Sequence, residues 1–187
     1  EDGSTVYYAG NVGTGRKVKT LLPNGEVVLY EGEAGKERKV KRTFPTGYTI
    51  FTRGPCESED SMSRTVLFDG TRHFYEGAPG AESKVMTLFW RGDLHMTRFE
   101  GSAGEEHKVW DIFHSGVCHY YKGTAGAERM AMTLYTTGDI LRVVYRGSAG
   151  KESKFCELLR SGVRHFYCRK DGGDVLVRSD NMGNKRG

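Results

Sequence analysis

The segment Gly116-Val-Cys-His-Tyr-Tyr-Lys-Gly-Thr-Ala-Gly-Ala-Glu128 recurs, with changes, along nearly the whole chain. It returns as Gly70-Thr-Arg-His-Phe-Tyr-Glu-Gly-Ala-Pro-Gly-Ala-Glu82 and as Gly25-Glu-Val-Val-Leu-Tyr-Glu-Gly-Glu-Ala-Gly-Lys-Glu37. Aligned on their first glycine, the copies start at Gly25, Gly47, Gly70, Gly92, Gly116, Gly138 and Gly162, a period of 22 to 24 residues. Self-similarity at so short a period means stacked copies of one supersecondary unit, each burying its neighbour.

The unit reads as a β-hairpin. Six or seven β-branched and aromatic residues lie on either side of each central glycine, bounded by Gly with Asn, Asp, Ser or Thr. Asn24-Gly25 and Asp69-Gly70 are hairpin-turn dipeptides, suited to turns that need positive φ. Val6-Tyr7-Tyr8 looks like the second strand of a hairpin, and Asp174-Val-Leu-Val-Arg178 like the first strand of another. Seven full hairpins and two halves predict an all-β chain of about 16 strands. One repeat domain spans 5–178, with an irregular third connection over 52–64 and a C-terminal tail over 179–187. The arrangement expected is an open twisted sheet; the alternative is a closed, propeller-like ring completed by both termini.

Period-two alternation puts the column Lys17, Lys39, Met62, Lys84, Lys108, Met130, Lys154 on the same strand face as Leu21, Thr43, Val66, Leu88, Ile112, Leu134, Leu158. Glu37, Glu82, Glu106 and Glu152 precede four of those lysines by two residues, which suggests a charge ladder of alternating sign. In the second strands, pairs such as Phe74-Tyr75 and Tyr120-Tyr121 place aromatic rings on both faces. A sheet apolar on both sides requires a cover or a partner.

The copies Tyr30-Glu-Gly-Glu33, Tyr75-Glu-Gly77 and Phe99-Glu-Gly101, with Pro45-Thr-Gly47 before a second strand, resemble MORN repeats. Ala127-Glu-Arg129 and Ala34-Gly-Lys-Glu-Arg38 are similar to the Tyr-Glu-Gly…Gly-Ala-Glu-Arg repeats of algal and protist proteins. The likeness covers about residues 8 to 170, although Gly-x-Glu-x-Lys stands where MORN copies carry a second Gly-x-Gly. It implies an elongated hairpin sheet that tethers complexes or sits near membranes and is not itself an enzyme.

Candidate interaction residues come from three columns. His73, His119 and His165 recur every 46 residues, too regularly spread along a sheet to converge on one metal. Tyr30, Tyr75, Phe99, Tyr121, Tyr145 and Tyr167 form either cross-strand packing or a ladder on which sugars stack. Lys39, Lys84, Lys108 and Lys154 form either a solvated ladder or a stripe for anionic lipid. No nucleophile–base set and no cofactor motif is present, so no enzymatic activity and no cofactor are expected. The net charge of +4 is dispersed among acids, which makes nucleic acid an unexpected partner. Four cysteines form no Cys-x-x-Cys pair, and no apolar run is long enough to span a membrane as a helix. The compartment is unknown. An intracellular soluble or peripheral protein is expected over a secreted one, and because the chain starts at Glu1 a removed targeting segment stays open. The function expected is a non-catalytic scaffold in a larger eukaryotic assembly, with a protein partner. A glycan-binding module and peripheral binding to anionic membrane are the alternatives.

Overall fold

The computed structural model describes residues 3–54 and 61–181. Its strands are β1 (Thr5–Ala9), β2 (Arg16–Leu21), β3 (Val27–Glu31), β4 (Arg38–Thr43), β5 (Thr49–Arg53), β6 (Ser61–Val66), β7 (Arg72–Glu76) and β8 (Ser83–Leu88). They continue with β9 (Leu94–Glu100), β10 (His107–Phe113), β11 (Cys118–Lys122), β12 (Arg129–Leu134), β13 (Ile140–Arg146), β14 (Ser153–Leu159), β15 (Val163–Lys170) and β16 (Gly173–Asn181). Strand order in the sheet is sequence order, and β1 does not pair with β16, so the sheet is open and the ring alternative does not hold. The chain falls into two compact units, one built on β1–β8 and the other on β9–β16, and each is treated by itself below. No helix among the described residues is long and apolar enough to cross a membrane. The expected break at Gly54–Arg64 falls partly on 55–60, and the expected tail partly on 182–187, outside the described residues.

The hairpin turns differ from the two-residue type that Asn-Gly suggests. Leu22 N donates to Glu26 O and Gly25 N to Leu22 O, both at 2.9 Å. Gly25 has φ of 83°, whereas Asn24 is not in the left-handed region. This is a type I turn closed by a left-handed glycine, a three-residue loop. The Asn24 side chain instead caps the loop, accepting from Glu26 N at 3.1 Å.

The connection from one hairpin to the next explains the aromatic-x-Gly-x-x-Gly-x-Glu signature. At Gly32, with φ of 120°, an added Cβ would sit 2.6 Å from the Lys36 carbonyl oxygen, so only glycine fits. The chain then doubles back and delivers Glu37, whose Oε1 accepts from Lys17 N at 2.8 Å and whose Oε2 accepts from Gly35 N at 2.9 Å. The same clasp joins Glu82 to Met62 N, Glu128 to Lys108 N and Glu152 to Met130 N. Asp174 closes the series on Lys154 N at 3.0 Å. These glutamates fasten each loop to the strand one repeat upstream. The charge-ladder reading of Glu37, Glu82 and Glu152 is thereby corrected: they serve backbone amides.

The amide they hold belongs to a β-bulge. Tyr7 faces Lys19 but Tyr8 faces Lys17, leaving Val18 as the extra residue, and the shift recurs between Tyr120 and Tyr121 and between Val144 and Tyr145. The extra residue reverses the alternation. Lys17 therefore lies over the Tyr30 ring while Lys19 lies over Tyr7 on the opposite face. The expectation that the lysine and leucine columns share a face fails for this reason.

Two faces of different character result. On one, termed the polar face, a row of directly paired residues runs Val6, Thr20, Val28, Arg42, Ile50, Thr65, His73 and Thr87 in the first unit. In the second it runs Thr97, Asp111, His119, Thr133, Val143, Glu157 and His165. These rows hold the most enclosed side chains. The only buried hydrophobic residues among those described are Val28 and Val143, joined by Thr20, Thr65, Thr87, Thr97, Thr133, Asp111 and Glu157. On the other, the apolar face, the row Tyr7, Lys19, Leu29, Lys41, Phe51, Arg64, Phe74, Met86 of the first unit has no fully buried member.

Candidate functional site

The register brings all three predicted columns onto the polar face. Each lysine pairs directly with an aromatic residue of the preceding strand: Lys39 with Tyr30, Lys84 with Tyr75, Lys108 with Phe99 and Lys154 with Tyr145. The histidines sit in the enclosed row beside them. His119 on β11 and His165 on β15 are four strands apart, about 19 Å by strand spacing, and so do not meet. Among the described residues no cluster of His, Cys, Asp and Glu has metal-binding geometry. Cys118, Cys156 and Cys168 are free thiols.

Within the second unit these side chains close into two equivalent clusters around residues that sequence reasoning passed over. Asp111 is 3% exposed. Its Oδ1 accepts from the Thr97 hydroxyl at 2.6 Å, and its Oδ2 accepts from Tyr121 OH at 2.8 Å and from Lys108 Nζ at 3.0 Å. The Lys108 ammonium also lies 4.9 Å from the Tyr121 ring centre. His119 pairs with Asp111 across the strands and packs against Phe113, ring centres 4.7 Å apart and planes tilted by 60°. One four-strand period later, Glu157 accepts from Lys154 Nζ and from Tyr167 OH, with Lys154 4.8 Å from the Tyr167 ring centre and His165 Nδ1 4.0 Å from the carboxylate.

Electrostatics follow from enclosure. Burial pushes the Tyr121 hydroxyl far above its ordinary pKa, and the bond to Asp111 reinforces it; Tyr167 is raised to about 12 in the same way, with Glu157 its partner. Burial alone would raise Glu157, but hydrogen bonds from Lys154 and Tyr167 outweigh it and hold the carboxyl below the usual range. His119 is lowered chiefly by burial, Asp111 opposing, so its ring is neutral at physiological pH. His73 is lowered for the same leading reason, and its Nδ1 lies 2.8 Å from Thr87 Oγ1. Each carboxylate has its ammonium, phenol and neighbours within the chain. The clusters fix side chains rather than present a free nucleophile or base.

The chain matches no model of a known protein family, and no curated protein matches it by sequence. The internal copies are therefore its best standard of comparison. Three residues after each member of the lysine column stand Thr20, Arg42, Thr65, Thr87, Asp111, Thr133 and Glu157. Two acids in a column of mostly threonines were the signal in the sequence that these positions differ. At a spacing of 45 or 46 residues the chain thus carries four versions of one set. They are Lys17/Thr20/Val28/Tyr30, Met62/Thr65/His73/Tyr75, Lys108/Asp111/His119/Tyr121 and Lys154/Glu157/His165/Tyr167.

Proposed function

We propose that this chain is a non-catalytic interaction scaffold whose apolar face holds an acidic segment of a protein partner. The observation that carries this reading is the uncovered row on that face of the first unit. Lys19, Lys41 and Arg64 alternate there with Leu29, Phe51 and Phe74, half-exposed and without a second layer of structure. Among the described residues no carboxylate lies in that row or in the adjoining one towards the hairpin turns, which includes Leu21, Val27, Val66, Arg72 and Leu88; the row on its other side carries Glu31, 3.7 Å from Arg38, and Glu76. The cations rest on rings instead: Arg64 lies 3.9 Å and Lys41 5.5 Å from the Phe51 centre. Arg72 is exposed beside them. Cations between half-buried hydrophobic side chains, with the acids of this face confined to its far row, suit a partner that brings carboxylates and apolar side chains together.

The alternatives draw less support. Stacking of sugars on the tyrosine column needs open ring faces, but Lys17, Lys108 and Lys154 lie over Tyr30, Tyr121 and Tyr167. A lysine stripe for anionic lipid loses Lys108 and Lys154 to enclosed carboxylates. The likeness to MORN repeats agrees with a tethering role in a larger assembly. A photo-crosslinker at Leu29, on the apolar face, should capture a partner in extracts of the source cells. One at Ile50, on the polar face, should not, and Lys41→Glu with Arg64→Glu should abolish capture. Equal capture from both faces, or capture indifferent to the charge reversal, refutes the assignment.

A further inference from the structure

In the first of the four sets the acid is missing while two of its partners, the lysine and the tyrosine, remain; Val6 holds the place of Thr97. Lys17 and Tyr30 occupy the places of Lys108 and Tyr121, with the ammonium 4.2 Å from the ring centre, but Thr20 stands where Asp111 and Glu157 stand in the later sets. Among the described residues no carboxylate is within ion-pair distance of Lys17. The Thr20 hydroxyl is enclosed, in a side chain 6% exposed, and has no hydrogen-bond partner. A hollow of about 450 Å³ opens at this point. Its lining includes Lys17, Thr20, Tyr30 and Lys39 together with the apolar Val6, Leu22 and Val28. Arg42 also lines it but is committed to Glu26, with Nε to Oε2 at 2.7 Å.

We infer that this hollow is a binding site for a carboxylate, which takes the place that Asp111 fills internally in the third set. The ammonium of Lys17 and the hydroxyl of Tyr30 would bond the anion as Lys108 and Tyr121 bond Asp111, and the Thr20 hydroxyl would add a donor from beneath it. The volume is at the lower end of small-molecule pockets, and its aliphatic side calls for a short apolar body behind the acid group. An enclosed, unpaired hydroxyl is costly to leave unmet, and an ammonium over an aromatic ring is already oriented. The second set shows that this is not a general feature: there Met62 stands in the place of the lysine. The site lies on the polar face and stands apart from the partner surface proposed above.

The same chemistry arrives either on a free organic acid or on a glutamate side chain of another protein, and titration of the intact chain separates the two. Hexanoate, 4-phenylbutyrate, hexanamide, inorganic phosphate and a Leu-Glu-Leu peptide with both ends blocked are the probes, read by amide chemical shifts at Thr20, Val28 and Tyr30. The free acids are expected to bind and hexanamide to fail. A response to the blocked peptide equal to that of hexanoate assigns the site to protein carboxylates; a weaker one assigns it to free acids. Lys17→Met, which copies the second set, should weaken binding about tenfold or more, the scale of a hydrogen bond to a charged group. Thr20→Asp should abolish binding and raise the melting temperature, because it supplies the missing carboxylate from within. Saturation by phosphate as readily as by hexanoate overturns the inference. So does binding unchanged by both substitutions, or no response to any acid in a chain that Thr20→Asp fails to stabilise.

Discussion

Converting the third set into the second gives a quantitative test of what the enclosed carboxylates contribute. Lys108→Met alone leaves Asp111 with the Thr97 and Tyr121 hydroxyls but no counter-charge. Breaking a fully buried pair typically costs about 3–5 kcal/mol; a surface pair contributes about 0–1 kcal/mol. The Lys108 side chain is 36% exposed and that of Asp111 4%. Solvent therefore screens one partner only, and the single substitution should cost about 2 kcal/mol. Asp111→Thr alone strands the ammonium, which turns to solvent, and releases the Thr97 and Tyr121 hydroxyls; about 1–2 kcal/mol is expected. The double variant Lys108→Met/Asp111→Thr recreates Met62/Thr65/His73/Tyr75, a combination this chain already folds. Its cost should fall below about 1 kcal/mol, a coupling of at least about 2 kcal/mol for side chains in direct contact.

Trp110 lies on the same strand as both positions, so the urea dependence of its fluorescence reports on this unit. Repeat arrays need not unfold in one step, and midpoints should be compared together with hydrogen exchange at the β10 and β11 amides. A double variant as unstable as the sum of the two singles refutes the claim that the lysine is present to neutralise the acid.

Two further outcomes follow from the loops and the titratable groups. Gly35→Ala should cost about 1 kcal/mol from its left-handed backbone alone, since nothing lies near an added Cβ, whereas Gly32→Ala, 2.6 Å from the Lys36 oxygen, should cost several times that in a urea titration. The clasp carboxyls of Glu37 and Glu82 are held low first by the Lys17 and Met62 amides, and those of Glu128 and Glu152 first by their own. Their folded pKa values lie below the unfolded value near 4.3, so clasp stability is complete above about pH 4.3 and disappears as pH falls through the folded values. His73 and His119, kept neutral by burial, add a separate decline that begins as pH drops below about 6.5. Melting temperatures from pH 8 to pH 3 should show both steps, and His73→Gln with His119→Gln should erase the upper one alone.

The hairpin period, the strand count and the open sheet were legible because every copy repeats the same spacing of glycine and aromatic residues. What sequence reasoning misplaced depends on the bulge. One extra residue at Val18 and its equivalents moves Lys17 from the leucine face to the tyrosine face, and nothing in a single column of residue types announces that shift. The glutamates were visible as a column, but their bonding target is an amide one repeat upstream, set by strand register. Asp111 and Glu157 were overlooked because the eye follows what a repeat preserves, while in their column the information lay in two departures from threonine.

Those departures bear on how the two faces divide their work. The apolar face changes little in kind along the first unit, alternating cation with hydrophobic side chain, as a surface does when it offers one chemistry over a length. The polar face changes at fixed intervals of four strands: a lysine over a ring with a hollow, then methionine, then two sets with their own acids. Where the acid is internal, the cluster closes on its own hydrogen bonds. In the first set Lys17 keeps its place over the Tyr30 ring beside the enclosed Thr20 hydroxyl, and no carboxylate among the described residues lies within ion-pair distance of its ammonium. A purely structural repeat would gain stability from an acid at position 20, as it does at positions 111 and 157. Retaining threonine beside a lysine whose ammonium lies on a ring rather than in an ion pair is consistent only if the hollow is used or if the stability is not needed. Thr20→Asp measures the second quantity, and the hexanoate titration the first.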